Sequence, residues 1–151
     1  MKKNILILAA GFFFVGALFC GAISAGTKED AIALVKKGVE FIEANGPEKA
    51  AEAFQTPEFK NGDLYLFSYD YKGNCQAQGA MPQLVGKNLW NLKSPTGKPL
   101  IRDLAELAQK NGGWIEYEWN HETKKVLMTK VTYVQPVAGK EMFVGCGFYK
   151  E

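Results

Sequence analysis

The stretch Gly112-Gly113-Trp114-Ile115-Glu116-Tyr117-Glu118-Trp119 decides how the rest of the chain is read. Its apolar and charged residues alternate, so Ile115, Tyr117 and Trp119 share one face of a strand and Glu116 and Glu118 the other. That is the pattern of an antiparallel sheet with one packed and one wet face. Downstream, residues 120–124 and 136–140 read as polar turns. The runs 126–135 and 142–149 read as two further strands, which completes a three-stranded meander.

Upstream, Leu100, Leu104, Leu107 and Ala108 recur at helical spacing and predict a helix over 100–110, ended by Asn111-Gly112-Gly113. Residues 79–99 contain Gly79, Pro82, Gly86, Pro95, Gly97 and Pro99, which predicts a long connection with a helical turn around 89–92. A connection of that length in a compact domain is functional or has structure of its own. Before it, the aromatic-rich run 63–69 and the segment 74–78 read as strands joined at Asp70-Tyr71-Lys72-Gly73, a β-hairpin. Thr27-Lys28-Glu29-Asp30 opens a helix: Thr27 caps free backbone N–H groups, and the two acids suit the positive end of the helix dipole. Ile32, Val35, Val39 and Ile42 carry that helix to Asn45-Gly46. Pro47 then starts a shorter helix, which Pro57 breaks. No internal repeat or interdomain linker interrupts this order, and the class is α+β.

Residues 1–25 are of another kind. Lys2 and Lys3 are their only charges, 5–19 is an almost unbroken apolar run, and Ser24-Ala25-Gly26 supplies the small residues of a cleavage site. The run is shorter than the ~20 residues that span a bilayer. It reads as a secretory signal peptide, with the mature domain at 26–151 and the periplasm as destination. An uncleaved anchor is the alternative, because residues 21–25 extend the segment to spanning length. Phe19 is too bulky to precede a lipidated Cys20. Without the leader the 18 basic side chains fall to 16, equal to the 16 acidic ones. A neutral chain has no sequence-wide electrostatic reason to bind nucleic acid. At 47% hydrophobic, 23% charged and 13% aromatic, the chain is globular in composition. One histidine and three cysteines leave little material for a metal site, and no cofactor is implied.

Five strings, in this order and with these spacings, resemble the single Cache domain. They are Asp63 to Asp70 followed by Lys72-Gly73; Leu84-Val85-Gly86-Lys87-Asn88-Leu89; Gly97-Lys98-Pro99-Leu100; Gly112 to Trp119; and Phe143-Val144-Gly145-Cys146-Gly147-Phe148-Tyr149. Together they run through nearly all of the mature chain. The resemblance implies a PAS-like five-stranded antiparallel sheet with a long N-terminal helix along one side. It also implies helices and loops after the hairpin that close a small-ligand pocket. Cache domains take organic acids, amines and amino acids, so the implied role is an extracytoplasmic sensor domain. Two departures stand out. Family members mostly precede a kinase, chemoreceptor or cyclase module, whereas here Glu151 closely follows the last predicted strand. The expectation is a domain with no output module in cis, which passes its bound state to a membrane receptor or kinase. In addition, Gln78 stands where relatives often carry histidine.

The candidate ligand-binding residues are Gln78, Trp90, Tyr117, Trp119, Lys130 and Tyr133. The rings supply an apolar wall with hydrogen-bonding tips. Lys130 lies mid-strand, where a lysine either projects to water or meets an anionic ligand. A charge-assisted bond to a carboxylate would stabilise it there, which makes a small organic acid the expected ligand. The competing reading is a periplasmic protein-interaction module that docks to a membrane sensor or receptor without a ligand of its own. Catalysis has little support. A hydrolase triad needs a nucleophile, a base and an orienting group, and the single imidazole, His121, falls in a polar turn where a solvated residue is expected. Cys75 and Cys146 form an even pair in a compartment where disulfides persist. A bridge between them would close a loop of about 70 residues, worth ~4 kcal/mol in the chain-entropy model. Against it, the family's strand order separates the two by about two 4.8 Å strand spacings, and the other outcome is two buried thiols packing as small apolar groups.

Overall fold

Thr27 opens the first helix with a capping box. Its Oγ1 accepts the Asp30 N–H at 3.1 Å, and its own N–H donates to the Asp30 carboxylate at 3.1 Å, so donors that a helix start leaves free are satisfied. Helix α1 (Lys28–Asn45) buries Ala31, Val35, Gly38, Val39 and Ile42 as one stripe. Gly46 ends it with its N–H on the Ile42 carbonyl at 2.9 Å, and Pro47 starts α2 (Pro47–Ala53). The computed structural model describes residues 26–150; the expected signal peptide over 1–25 lies outside the described residues.

The strands are β1 (Lys60–Asn61), β2 (Leu64–Asp70), β3 (Cys75–Gln78), β4 (Gly113–Asn120), β5 (Leu127–Pro136) and β6 (Met142–Tyr149). All pairs are antiparallel, in the order β3-β2-β6-β5-β4, and β1 adds to the other end of the β2 edge that carries β3. The five expected strands are therefore present, with the first flanked by the second and the fifth. The sixth, β1, has two residues, too few to carry a period. The predicted hairpin is β2–β3, bulged between Ser68 and Tyr69. Its turn is held by Asp70, whose Oδ1 accepts the N–H groups of Lys72 at 2.9 Å and Asn74 at 2.8 Å.

Helix α1 covers one face of the sheet, against Leu66, Val144 and Cys146. The other face carries α3 (Leu100–Gln109), which buries Leu100, Ile101, Leu104, Ala105 and Ala108, and the segment 79–99. This connection has structure of its own. It contains a 3₁₀ turn at Pro82–Leu84, and the turn expected near 89–92 is a single one closed by the Leu92 N–H on the Leu89 carbonyl at 2.9 Å. Pairing of Asn88 with Asn74 and of Lys93 with Pro99 ties the segment down. The tie needs glycine at 73: φ is +86°, and a Cβ there would stand 2.8 Å from the Trp90 backbone.

The same arrangement separates the cysteines. Cys75 packs with the α3 side of the sheet and Cys146 with the α1 side, and both are buried free thiols. Burial pushes them up, Cys75 to about 11 and Cys146 to about 12, so neither is a nucleophilic thiolate at neutral pH. A disulfide would have to pass through the sheet. Among the described residues, no helix is long and apolar enough to cross a membrane.

Candidate functional site

The face under α3 is aromatic because β2 and β4 place alternate residues on it. Tyr65, Phe67 and Tyr69 come from β2, and Tyr117 and Trp119 from β4; Leu100, Ile101 and Leu104 of α3 close over them. Met81, Leu84 and Leu92 of the connecting segment complete the wall, with Gln78 at the end of β3. They line a cavity of about 30 Å³, room for roughly two water molecules. No charged side chain lines it. Its polar groups are the Gln78 amide, whose oxygen accepts the Ala80 N–H at 3.2 Å, and the tyrosine hydroxyls. Tyr117 shares a 3.0 Å hydrogen bond with Thr132. Burial pushes the Tyr69 and Tyr117 phenols well above their ordinary values, so both are neutral hydrogen-bonding groups.

Beside the cavity, Lys130 is only 1% exposed. It does not reach water, and its partners come from the chain itself. Its Nζ donates to the Tyr65 hydroxyl at 2.7 Å, to Glu122 Oε1 at 3.3 Å and to the Tyr149 hydroxyl at 3.4 Å. It lies over the Tyr65 and Tyr149 rings, 4.1 and 4.7 Å from their centroids. Tyr65 donates a short bond to Glu122 Oε1, and Tyr149 donates to Oε2 at 2.7 Å. Burial alone would raise the Glu122 carboxyl. Lys130 and the two hydroxyls outweigh it and hold Glu122 below the usual carboxylate value. Burial pulls the Lys130 ammonium down, and Glu122 partly restores it.

His121 corrects another expectation. It is buried, not a solvated turn residue. Its Nε2 lies 3.2 Å from Asp63 Oδ2, its Nδ1 accepts the Thr123 and Lys124 N–H groups at 3.2 Å each, and its ring stacks on Tyr149. These partners satisfy the ring without solvent and fold the β4–β5 turn back onto the sheet.

Of the six candidates, the structure brings Gln78, Tyr117 and Trp119 to the cavity wall. Lys130 stands one layer behind, with Tyr65 between. Trp90 is set apart beneath Arg102, 5.3 Å from its ring centre. Tyr133 pairs with Cys146 on β6 and packs on Trp114, on the α1 face. Sequence reasoning missed Tyr65, Tyr149 and Glu122. Alternation along 63–69 could have placed Tyr65 beside Phe67; nothing distinguishes Glu122 from any acidic turn residue. The expected wet face is instead the one α1 covers: Glu116 and Glu118 share it with Trp114 at the sheet's β4 edge, where Glu116 is paired to Lys150 at 2.7 Å.

A PAS-like sheet with a helix sealing one face and an aromatic cavity on the other is the architecture of Cache-type sensor domains. The chain matches the single Cache domain 2 family over residues 27–151, and it belongs to that family. It is 30% identical over 87 residues to the sensor histidine kinase MctS of Rhizobium johnstonii, a match over 58% of this chain and 19% of the kinase, so it spans about a fifth of that relative. Among solved structures it resembles a methyl-accepting chemotaxis protein from Vibrio parahaemolyticus, at 29% identity and a TM-score of 0.69, covering 81% of this chain and 87% of that one. Two more share the fold. A periplasmic sensor domain of a chemotaxis protein matches with 22% identity and TM-score 0.65, over 82% of this chain and 90% of its own. A Cache chemosensory domain described for carboxylic acid recognition matches with 19% identity and TM-score 0.67, over 82% and 92%. The chain is a Cache sensor domain, similar to those of chemotaxis receptors and a histidine kinase.

Proposed function

We propose that this domain binds a small organic acid outside the cytoplasm and reports its presence to a membrane receptor or kinase. The observation that carries the reading is the meeting of an apolar aromatic cavity with a buried ammonium at one residue, Tyr65. Its ring lines the cavity and its hydroxyl is bonded to Lys130. A short acid matches both halves: an alkyl part for the cavity and a carboxylate for the donors beside it. The carboxylic acid named for one fold neighbour agrees with this chemistry. At about 30 Å³ the cavity admits such a ligand only if wall side chains move, and the part-exposed wall residues Met81, Leu84, Leu92 and Trp119 have room to do so. Residues 1–25 serve as the export signal and 26–151 as the sensor. Tyr117, Gln78 and Trp119 position the ligand, and the role is binding, with no bond made or broken. Thermal shift against short carboxylates and short amines tests the reading. Stabilisation by at least one acid is expected, and a response confined to amines would overturn it.

A further inference from the structure

The donors around Lys130 differ in one respect: where they come from. Tyr65 and Tyr149 are fixed in β2 and β6, each paired along its strand. Glu122 comes from the β4–β5 turn, and its side chain keeps 21% of its surface exposed. It also lines an open cleft of about 220 Å³ together with Asp63, Tyr65 and Ala80. Glu122 can therefore turn into water by side-chain rotation, whereas Lys130, on the central part of β5, cannot follow it. The turn itself is held by His121, not by Glu122: the His121 Nδ1 takes the two following N–H groups, and its main chain pairs with Val126 and Lys125.

Removing the Glu122 side chain from this arrangement leaves three donors converging on one point. The Lys130 ammonium and the Tyr65 hydroxyl address one oxygen, and the Tyr149 hydroxyl addresses the other. Two oxygens about a carboxylate's width apart is what they are arranged to hold. We propose that Glu122 is a built-in stand-in for the ligand's carboxylate, and that an organic acid binds by taking its place on Lys130, Tyr65 and Tyr149. This rests on the organic-acid reading above and adds how the site is held when empty. The exchange keeps the charge on Lys130 balanced and moves one negative charge from the interior to the surface of the β4–β5 turn. Binding is thus converted into a change of charge at the surface of this turn and of side-chain position at Glu122. The displaced side chain sets the affinity as well, because a ligand that must expel a competitor binds more weakly by the fraction of time the site is vacant.

The test is titration of the full-length chain with sodium propionate, against sodium chloride at matched ionic strength, for the native protein, Glu122→Ala, Glu122→Gln and Lys130→Met. Both Glu122 variants are expected to bind propionate at least about tenfold more tightly than the native protein. Propionate is also expected to restore the thermal stability that Glu122→Ala loses, and Lys130→Met to bind none. Equal or weaker binding by the Glu122 variants, with the native protein still binding, overturns the stand-in and leaves the organic-acid reading intact. Absence of propionate binding in every form, with other short acids equally silent, overturns both. Should Glu122→Ala not fold, Glu122→Gln keeps the shape and neutral hydrogen bonding and carries the same comparison. In the native protein, the side-chain carboxyl carbon resonance of Glu122 is expected to move toward that of a solvated glutamate on saturation with propionate; a resonance left unchanged overturns the displacement.

Discussion

On the α1 face of the sheet, Ala31, Val35, Val39 and Ile42 meet Leu66, Val144 and Cys146, and Phe54 seals the end against Phe59. On the opposite face, two tyrosines surround a buried lysine and its half-buried glutamate, and the space under α3 is not completely filled. The same strands build both faces, alternate residues turning to each. The α1 side is packed as a core is packed, where every methylene contributes to stability. The α3 side retains hydroxyls, an amide and an ion pair, each of which costs desolvation unless paired. A protein that needed only to fold would gain by making the second face like the first. On the proposed function, these polar groups are kept on the α3 side for the ligand.

The contrast predicts how substitutions divide. Phe54→Ala removes a fully buried ring from the α1 side and is expected to cost about 3–5 kcal/mol in urea unfolding. Ligand affinity of the folded fraction should remain unchanged; a lost affinity would mean that the two faces are coupled. The next largest effect should fall on the ion pair, and unequally. Glu122→Ala strands an ammonium that cannot reach water and is expected to cost on the order of 2–3 kcal/mol. Lys130→Met leaves Glu122 free to turn outward and is expected to cost less than about 1 kcal/mol. Equal costs in thermal melts would show that Glu122 is as firmly caged as Lys130.

That pair also sets an acid limit. Because Glu122 is held below its unfolded value, its contribution to stability is present above the ordinary glutamate pKa of about 4.3 and is lost as pH falls through the lower folded value. The stability gap between the native protein and Glu122→Gln should accordingly close between roughly pH 4 and the folded value in melts recorded down a pH series. Smaller still is the effect of Leu104→Phe, which adds bulk toward the cavity from α3. It is expected to change stability by under about 1.5 kcal/mol while abolishing the thermal shift given by any ligand; the same enlargement on the α1 face, Val39→Phe, should cost more. Smallest of all, reductant should leave the melting temperature unchanged. Peptide mapping after denaturing alkylation without reductant should find both Cys75 and Cys146 modified; a disulfide-linked peptide pair would contradict their placement on opposite faces.

How much of this was legible in the sequence depended on the range of the interactions. Alternation at 114–119 and the helical spacing of 32–42 report local period directly, so strands and helices fell within a residue or two of their observed ends. The resemblance supplied the strand order, which no period can supply. Side-chain partners across the sheet were harder. Lys130 was correctly marked as a costly residue, but its partner lies in a turn eight residues away, and an acidic turn residue looks solvated until the turn is seen folded back. His121 was misread for the same reason, since Asp63 and Tyr149, which bury it, are distant in sequence. Tyr133 failed differently: it lies three residues along β5 from Lys130, an odd number that reverses the face, so the two could not have served the same pocket.

Gly145 and Gly147 on β6 face the α3 side without a side chain. A Cβ at 145 would collide with the Phe67 ring, and one at 147 with the Thr132 hydroxyl and, at 3.1 Å, with the Lys130 stem. These two bare positions let Phe67 and Lys130 lie flat across the middle strand, and so they set how deep the chamber beneath α3 can be. Any larger residue at either place would lift its neighbour into that chamber and, on the proposed function, shorten the longest guest it can hold. Selectivity for ligand length can therefore drift through a strand that forms no part of the cavity wall.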